Sequence, residues 1–397
     1  MTRSATTRDR SRARVGPLAT DRSRTPVLDI DSLLDDPATG IIVCCGSGGV
    51  GKTTTSAALA LRAAERGRNV VVLTIDPARR LAQSMGIEEL DNTPRPVPGV
   101  EGGPGSLAAM MLDMKRTFDE VVESQAAPEK AQQILSNPFY VALSSSFAGT
   151  QEYMAMEKLG QIHAQAQRDG SYDLIVVDTP PSRSALDFLD APERLSRFLD
   201  GRFIRLLLAP AKGPARLMTA GVGLVTAAVT KLIGAQVLRD MQTFVAAFDT
   251  LFGGFRQRAQ KTFELLQADQ TAFLVIAAPE PDALREAAYF VERLSEDRMP
   301  LAGLIVNRAS PRPEGALSAD EAMAGAARLA QERPESITAG LLRLHADRVR
   351  LVERDSRLRE RFAAAHPSVA TAVVPALAGD VHDLDGLRQV GTLLADG

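Results

Sequence analysis

The sequence predicts an α/β fold: a mostly parallel, doubly wound sheet interrupted by a helical insertion. Continuous apolar runs at Ile41–Cys45, Asn69–Ile75, Tyr172–Val177, Thr271–Ala277 and Leu301–Val306 lack polar alternation, as strands buried on both faces of a parallel sheet do. Helical patterns lie between the runs, as crossovers between parallel strands require. Two runs end in a carboxylate, Asp76 and Asp178, at the strand ends where open α/β sheets place their chemistry.

Taken in order, residues 1–35 read as a disordered basic tail. Arg3, Arg8, Arg10, Arg12, Arg14, Arg22 and Arg24 stand among Ser and Thr without an apolar core run, which excludes a secretory signal. A transit peptide and a polyanion-binding arm are the alternatives to a solvated tail. Residues 36–397 read as one domain.

Its first strand, Ile41–Cys45, leads into Gly46-Ser47-Gly48-Gly49-Val50-Gly51-Lys52-Thr53-Thr54 and then the Ala-rich helix Ser56–Ala64. Strand, G-x-x-x-x-G-K-[ST] and helix together make a phosphate-binding loop, so the sheet is that of a P-loop NTPase. Glycines let successive N–H groups turn inward around the phosphates, and the helix adds the positive end of its dipole. Lys52 is placed to reach the β/γ oxygens, and Thr53 to offer its hydroxyl to Mg²⁺. Cys44 and Cys45, the two cysteines of the chain, are adjacent on this strand, point to opposite faces and cannot chelate one metal together. They read as small core residues in a reducing cytoplasm.

The second strand, Asn69–Ile75, ends at Asp76. Asn92–Gly105 is turn-rich, and Ser106–Asp113 supplies a third apolar run. From Lys115 to Arg168 the pattern is helical, broken at Pro128, Pro138 and Ser144–Gly149. Leu174–Val177 followed by Asp178-Thr179-Pro180-Pro181 is a Walker B arrangement, in which the aspartate supports the Mg²⁺ shell.

Residues 115–168 and 191–270 form the expected insertion subdomain. Within the second part, Phe203–Pro210, Leu217–Thr230, Leu232–Leu238 and Met241–Phe255 are more apolar than a one-sided surface helix requires, yet the longest uncharged stretch is too short to span a bilayer. Two readings stand: a buried subdomain helix or dimer seam, and one wall of a groove for a hydrophobic ligand.

The sheet resumes at Thr271–Ala277, a helix follows Pro281, and Leu301–Val306 ends at Asn307. Helical stretches at Asp320–Arg333 and Ile337–Ala365 carry dense Arg/Glu pairing that reads as a solvated face. Thr371–Val374 and Pro375 form a last strand, and Leu384–Leu394 a closing helix. The single loop motif means a single nucleotide site.

Composition narrows the function. Hydrophobic residues make up 45% and charged residues 24% of the chain, ordinary for a globular protein, and the formal net charge of −3 gives no reason to expect nucleic acid as a partner.

The loop, Thr74-Ile75-Asp76-Pro77-Ala78, Asp178-Thr179-Pro180-Pro181 and Val306-Asn307 occur in the order and spacing of the arsenical-pump and tail-anchored-protein-targeting ATPases, which the chain resembles from about Gly40 to its end. The resemblance implies a dimeric ATPase of the deviant Walker A class with ATP and Mg²⁺ as ligands. Asp76 would orient the attacking water, and Asp178 would support Mg²⁺ together with Thr53. Asn307 would read adenine, with the backbone near Pro375 closing over the base. The insertion would receive the hydrophobic segment of a client protein.

Three departures stand out. Ser47 occupies the position of a lysine that reaches the partner's phosphates. The Cys-x-x-Cys of a zinc bridge and the thiols of an arsenite site are both lacking, and Ser182-Arg183-Ser184 lacks the usual Gly-His of the switch segment. The resemblance therefore implies a cytoplasmic ATPase that binds and releases a hydrophobic protein segment without inserting in the membrane. The alternative is a weakly catalytic subunit that pairs with a lysine-bearing paralogue. A chromosome- or division-site-positioning ATPase is a third reading, for which the basic DNA surface and terminal amphipathic helix are wanting.

Overall fold

Ile41–Gly46 forms β1, and every residue of it is buried. Neither face of such a strand tolerates a polar side chain, so it belongs at the centre of a sheet covered on both sides. The computed structural model describes residues 26–396 except 77, 101–102, 139, 142–143, 145–149, 181–253, 255–256, 314, 316 and 335. In it, β1 pairs in parallel with β5 (Leu174–Asp178) on one side and β6 (Thr271–Ala277) on the other. Outward from β5 come β2 (Asn69–Thr74), β4 (Ser106–Met111) and the two-residue β3 (Arg95–Pro96); outward from β6 come β7 (Leu301–Ala309) and β8 (Thr371–Pro375). The order of this eight-stranded sheet is thus β3-β4-β2-β5-β1-β6-β7-β8. Only β3 is antiparallel, and it lies inside the stretch expected to be turns.

The pleat divides the core. Ile41, Val43 and Cys45 pack on one face with Phe118 and Val121 of α4 (Met114–Gln125), Leu159 of α6 (Thr150–Asp169) and Phe290 of α7 (Pro281–Glu296). Ile42 and Cys44 pack on the other with Leu59 and Leu61 of α2 (Lys52–Glu65), Leu81 of α3 (Arg80–Ser84) and Leu387 and Leu394 of α10 (Leu384–Asp396). The two cysteines therefore sit in different cores, and burial pushes both thiols up, Cys45 to about 12. Neither is a candidate metal ligand as a pair. The expected break at Pro128 starts α5 (Pro128–Leu135), with proline in the first turn, where its missing N–H costs nothing.

One expectation is corrected at the N-terminus. Residues 26–35 do not continue a disordered tail: Val27 bridges to Thr371 of β8, and α1 (Ile30–Asp35) buries Ile30 and Leu34 completely. Asp29 caps α1 by accepting from the Ser32 N–H at 2.9 Å. Arg62 of α2 holds Asp31 through two hydrogen bonds of 2.6 and 2.7 Å, and Arg66 binds Asp35. Arg68 ties the following turn through the carbonyls of Leu34, Asp36 and Thr39.

The apolar runs from Phe203 to Phe255 and the segment Ser182-Arg183-Ser184 fall on residues 181–253 and 255–256, outside the described residues. No helix among the described residues is long and apolar enough to cross a membrane. Beyond the sheet, α8 (Ala319–Glu332) and α9 (Ile337–Ala365) pair through Ala322 and Ala346, as the expected helical stretches there.

Candidate functional site

The β1–α2 loop can turn only because of its glycines. A Cβ on Gly46 would overlap the Ile276 carbonyl of β6, and a Cβ on Gly51, at φ 91°, would overlap the Asn307 amide. Those contacts hold the loop against the β6–β7 side of the sheet. Lys52 opens α2, is 6% exposed, and donates from Nζ to the Ser47 carbonyl at 2.8 Å. Burial lowers its pKa, opposed by the charges of Asp178 and Asp76. Thr54, one residue beyond Thr53, is half-buried on the first turn of the helix.

Asp178 ends β5 in register with Cys44 of β1 and Thr74 of β2, so three strands bring their chemistry to one point. Thr53 Oγ1 donates to its Oδ2 at 2.7 Å and Thr74 Oγ1 donates to the same oxygen at 2.9 Å. Oδ1 is buried without a hydrogen-bond partner. Burial raises the carboxyl pKa to about 6, against the two hydroxyls and Lys52, which lower it. An ionised oxygen sealed without a partner is costly unless a cation meets it.

That orphan oxygen and the Thr53 hydroxyl are hard donors that fit Mg²⁺. Among the described residues no group of three His, Cys, Asp or Glu side chains is placed to hold a metal, and a Mg²⁺ held by Asp178 and Thr53 would keep positions for water and phosphate oxygens.

Asp76 follows β2, half-buried, and its charge acts on both Lys52 and Asp178. Its Oδ1 accepts from the Ala78 N–H at 3.0 Å, and its own N–H donates to Thr74 Oγ1 at 3.3 Å. Gln151 of α6 donates to the Ile75 carbonyl beside it at 2.9 Å. Thr179 turns back to β1, donating from Oγ1 to the Cys44 carbonyl at 2.8 Å.

Asn307, 9% exposed, donates from Nδ2 to the Val50 carbonyl at 2.8 Å. In this structure it thus anchors the phosphate loop. Pro375 stands one strand further out, paired with Ala309, whose carbonyl accepts from the Ala376 N–H at 2.8 Å. Lys52, Thr53, Asp76 and Asp178 are therefore brought together, with Asn307 behind the loop and Pro375 at the outer end of the same strand pair.

Two residues to which the sequence reading gives no role join this site. Thr74 shares Asp178 with Thr53, and its sequence signal is its place at the head of Thr74-Ile75-Asp76-Pro77-Ala78. Arg308 donates from Nη1 to the Gly49 carbonyl at 2.8 Å. A cleft of about 470 Å³ opens beside it, lined by Ser47–Val50 of the loop, Glu280, Asp282 and Glu286 of the β6–α7 side, and Arg354 and Asp355 of α9.

A model of a family described as "Anion-transporting ATPase" matches residues 39–353 of the chain. Among curated relatives, "ATPase ASNA1 homolog" of Cryptosporidium parvum is 26% identical over 66% of this chain and 63% of its own length. "ATPase get3" of Schizosaccharomyces japonicus is 24% identical over 70% of this chain and 77% of its own. "ATPase GET3" of Podospora anserina is 32% identical over 46% of this chain and 50% of its own. The chain thus spans less than two thirds of the first of these proteins and half of the last.

Proposed function

The chain belongs to the anion-transporting ATPase family, and from that premise we propose that it is a dimeric, Mg²⁺-dependent ATPase that couples nucleotide state to capture and release of a hydrophobic protein segment. The observation that carries the enzymatic half is Asp178: a buried carboxylate with one oxygen held by Thr53 and Thr74 and the other free, beside the lysine of a phosphate loop. Magnesium bound there would neutralise charge on the phosphate oxygens.

The chain's own residues carry the other steps. Lys52 exchanges the Ser47 carbonyl for phosphate oxygens, which satisfy its ammonium better than a neutral acceptor does. Loop N–H groups and the first turn of α2 hold the phosphates. Asp76 keeps Oδ1 on the Ala78 N–H, leaving Oδ2 to accept a hydrogen bond from the attacking water and point it at the terminal phosphorus. In the same reading Asn307 leaves Val50 to read adenine, and Pro375 closes over the base.

The client half rests on the resemblance to the targeting ATPases and on the apolar runs between Ala191 and Gln270. A second reading, a nucleotide-binding subunit that pairs with a paralogue, is favoured by one residue: Ser47 brings no charge to the loop. The two separate in one experiment, light-scattering mass and ATP turnover of the natural chain and of Ser47→Lys, each with Mg²⁺ and ATP. A natural chain that dimerises and turns over supports the first reading. One that stays monomeric and inactive until Ser47→Lys restores both overturns it in favour of the second.

A further inference from the structure

We propose that Gln151 is a positioning residue for Asp76: together with Thr74 it clamps the peptide bond that carries Asp76, and so fixes where that carboxylate meets the attacking water. The inference rests on the ATPase reading and adds to it a residue of α6 that neither the loop motif nor the strand-end aspartates include.

The first observation is where the sheet hands the chain over to side chains. The Thr74 carbonyl accepts from the Leu112 N–H at 2.9 Å, and the Ile75 N–H donates to the Asp178 carbonyl at 2.9 Å, so neighbouring backbone holds the strand this far. At the next peptide bond, Ile75–Asp76, both polar groups bond to side chains. Gln151 Nε2 donates to its carbonyl at 2.9 Å, and its N–H donates to Thr74 Oγ1 at 3.3 Å. The C=O and N–H of a trans peptide point to opposite edges of one plane, so two such bonds together resist its rotation. Asp76 Cα is the next atom of the chain, and turning the plane swings the carboxylate with it. A displacement of about 1 Å at a reacting group can cost about 10² in rate.

The second observation is how firmly both jaws are held. Gln151 stands half-buried in the first turn of α6, and Met154, Ala155, Met156 and Leu159 of that helix are buried in the core. About two turns past Gln151, Lys158 donates to Glu120 of α4 at 3.0 Å, and Glu157 accepts from Arg258 Nε at 2.9 and 3.0 Å. A side chain on a helix so anchored is placed more precisely than one on a loop. Thr74 is held from the other direction, since the same hydroxyl donates to Asp178 Oδ2 at 2.9 Å. The plane that carries Asp76 is thus referenced to the Asp178 carboxylate on one edge and to α6 on the other.

The test measures ATP turnover and the binding of a non-hydrolysable ATP analogue, both with Mg²⁺, on the full chain. Gln151→Met removes the donor at similar length, Gln151→Glu replaces it with an acceptor, and Gln151→Lys returns a donor. We expect Gln151→Met and Gln151→Glu to lower kcat about tenfold or more while analogue affinity changes less than about twofold, and Gln151→Lys to recover part of the rate. In an Asp76→Asn background Gln151→Met should cost no further rate, because a group that acts through Asp76 has nothing left to position. An unchanged kcat in Gln151→Met, an equal loss of kcat and affinity, or a loss that adds in full to that of Asp76→Asn overturns the proposal and leaves the ATPase reading standing. A natural chain that turns over no ATP defeats the ATPase reading itself, and this inference with it.

Discussion

Asp178 shows how little of a site's chemistry is written at one position. Its neighbours are set by strand register: Thr74 reaches it because β2 and β5 align Thr74 with Asp178, and Thr53 because α2 starts beside that pair. The motif named Lys52, Thr53 and Asp178 by chemistry alone, and the structure brings them together. The contacts of Thr74 and Arg308 were not legible, although Thr74 heads a recognised motif, because a hydroxyl's target depends on register and a bulge adds a residue that no apolar run reveals. Thr74→Val should therefore do measurable harm. It leaves a buried carboxylate with one donor fewer, at a cost of about 1–3 kcal/mol in denaturant unfolding, and it frees the Asp76 N–H that it now holds. Asp76→Asn belongs to a different class: turnover should fall by about 10² or more while ATP affinity stays within about threefold, since a water-orienting group acts on the transition state and not on the bound nucleotide. A variant that loses ATP binding as severely as turnover would remove Asp76 from that role.

At the scale of elements, the crossover pattern of the sheet was readable, because strands buried on both faces leave continuous apolar runs. Two short elements were not. β3 has two residues, both exposed, and carries no hydrophobic signal. α1 has six residues and one buried side, yet its cap was in view as Asp29 three residues before Ser32. Its attachment makes two predictions. Leu34 is fully buried, so Leu34→Ala should cost about 3 kcal/mol in a thermal or denaturant melt. The Arg62 guanidinium, hydrogen-bonded to Asp31, holds that carboxyl below the ordinary 3.8. A depressed carboxylate stabilises the fold above its unfolded pKa and loses that contribution as pH falls through the folded value. Stability of the natural chain should then fall more steeply below about pH 4 than that of Asp31→Asn; parallel acid profiles would show that the pair is too solvated to matter.

For the whole molecule, sheet order follows from crossover rules only in part, since nothing local says that β5 inserts between β2 and β1. That insertion puts Asp178 beside the phosphate loop, and it makes the site a product of strands far apart in the chain. Assembly into a dimer is the prediction at this scale: if a trans cation is what Ser47 withholds, Ser47→Lys should raise turnover by about 10³ in the presence of Mg²⁺ and ATP, read together with a doubling of mass in light scattering. A rate unchanged by the lysine would mean that the natural chain supplies its cations otherwise. The bridge between Val27 and Thr371 carries a different consequence, one of timing. A ribosome adding roughly 5–20 residues per second delivers β8 tens of seconds after the strap it must meet. Through that interval α1 can meet α2 but not α10, the second of the two helices it packs against. A transcript broken before β8 would therefore release a chain whose first helix stays exposed to chaperones and proteases, marking the product as unfinished.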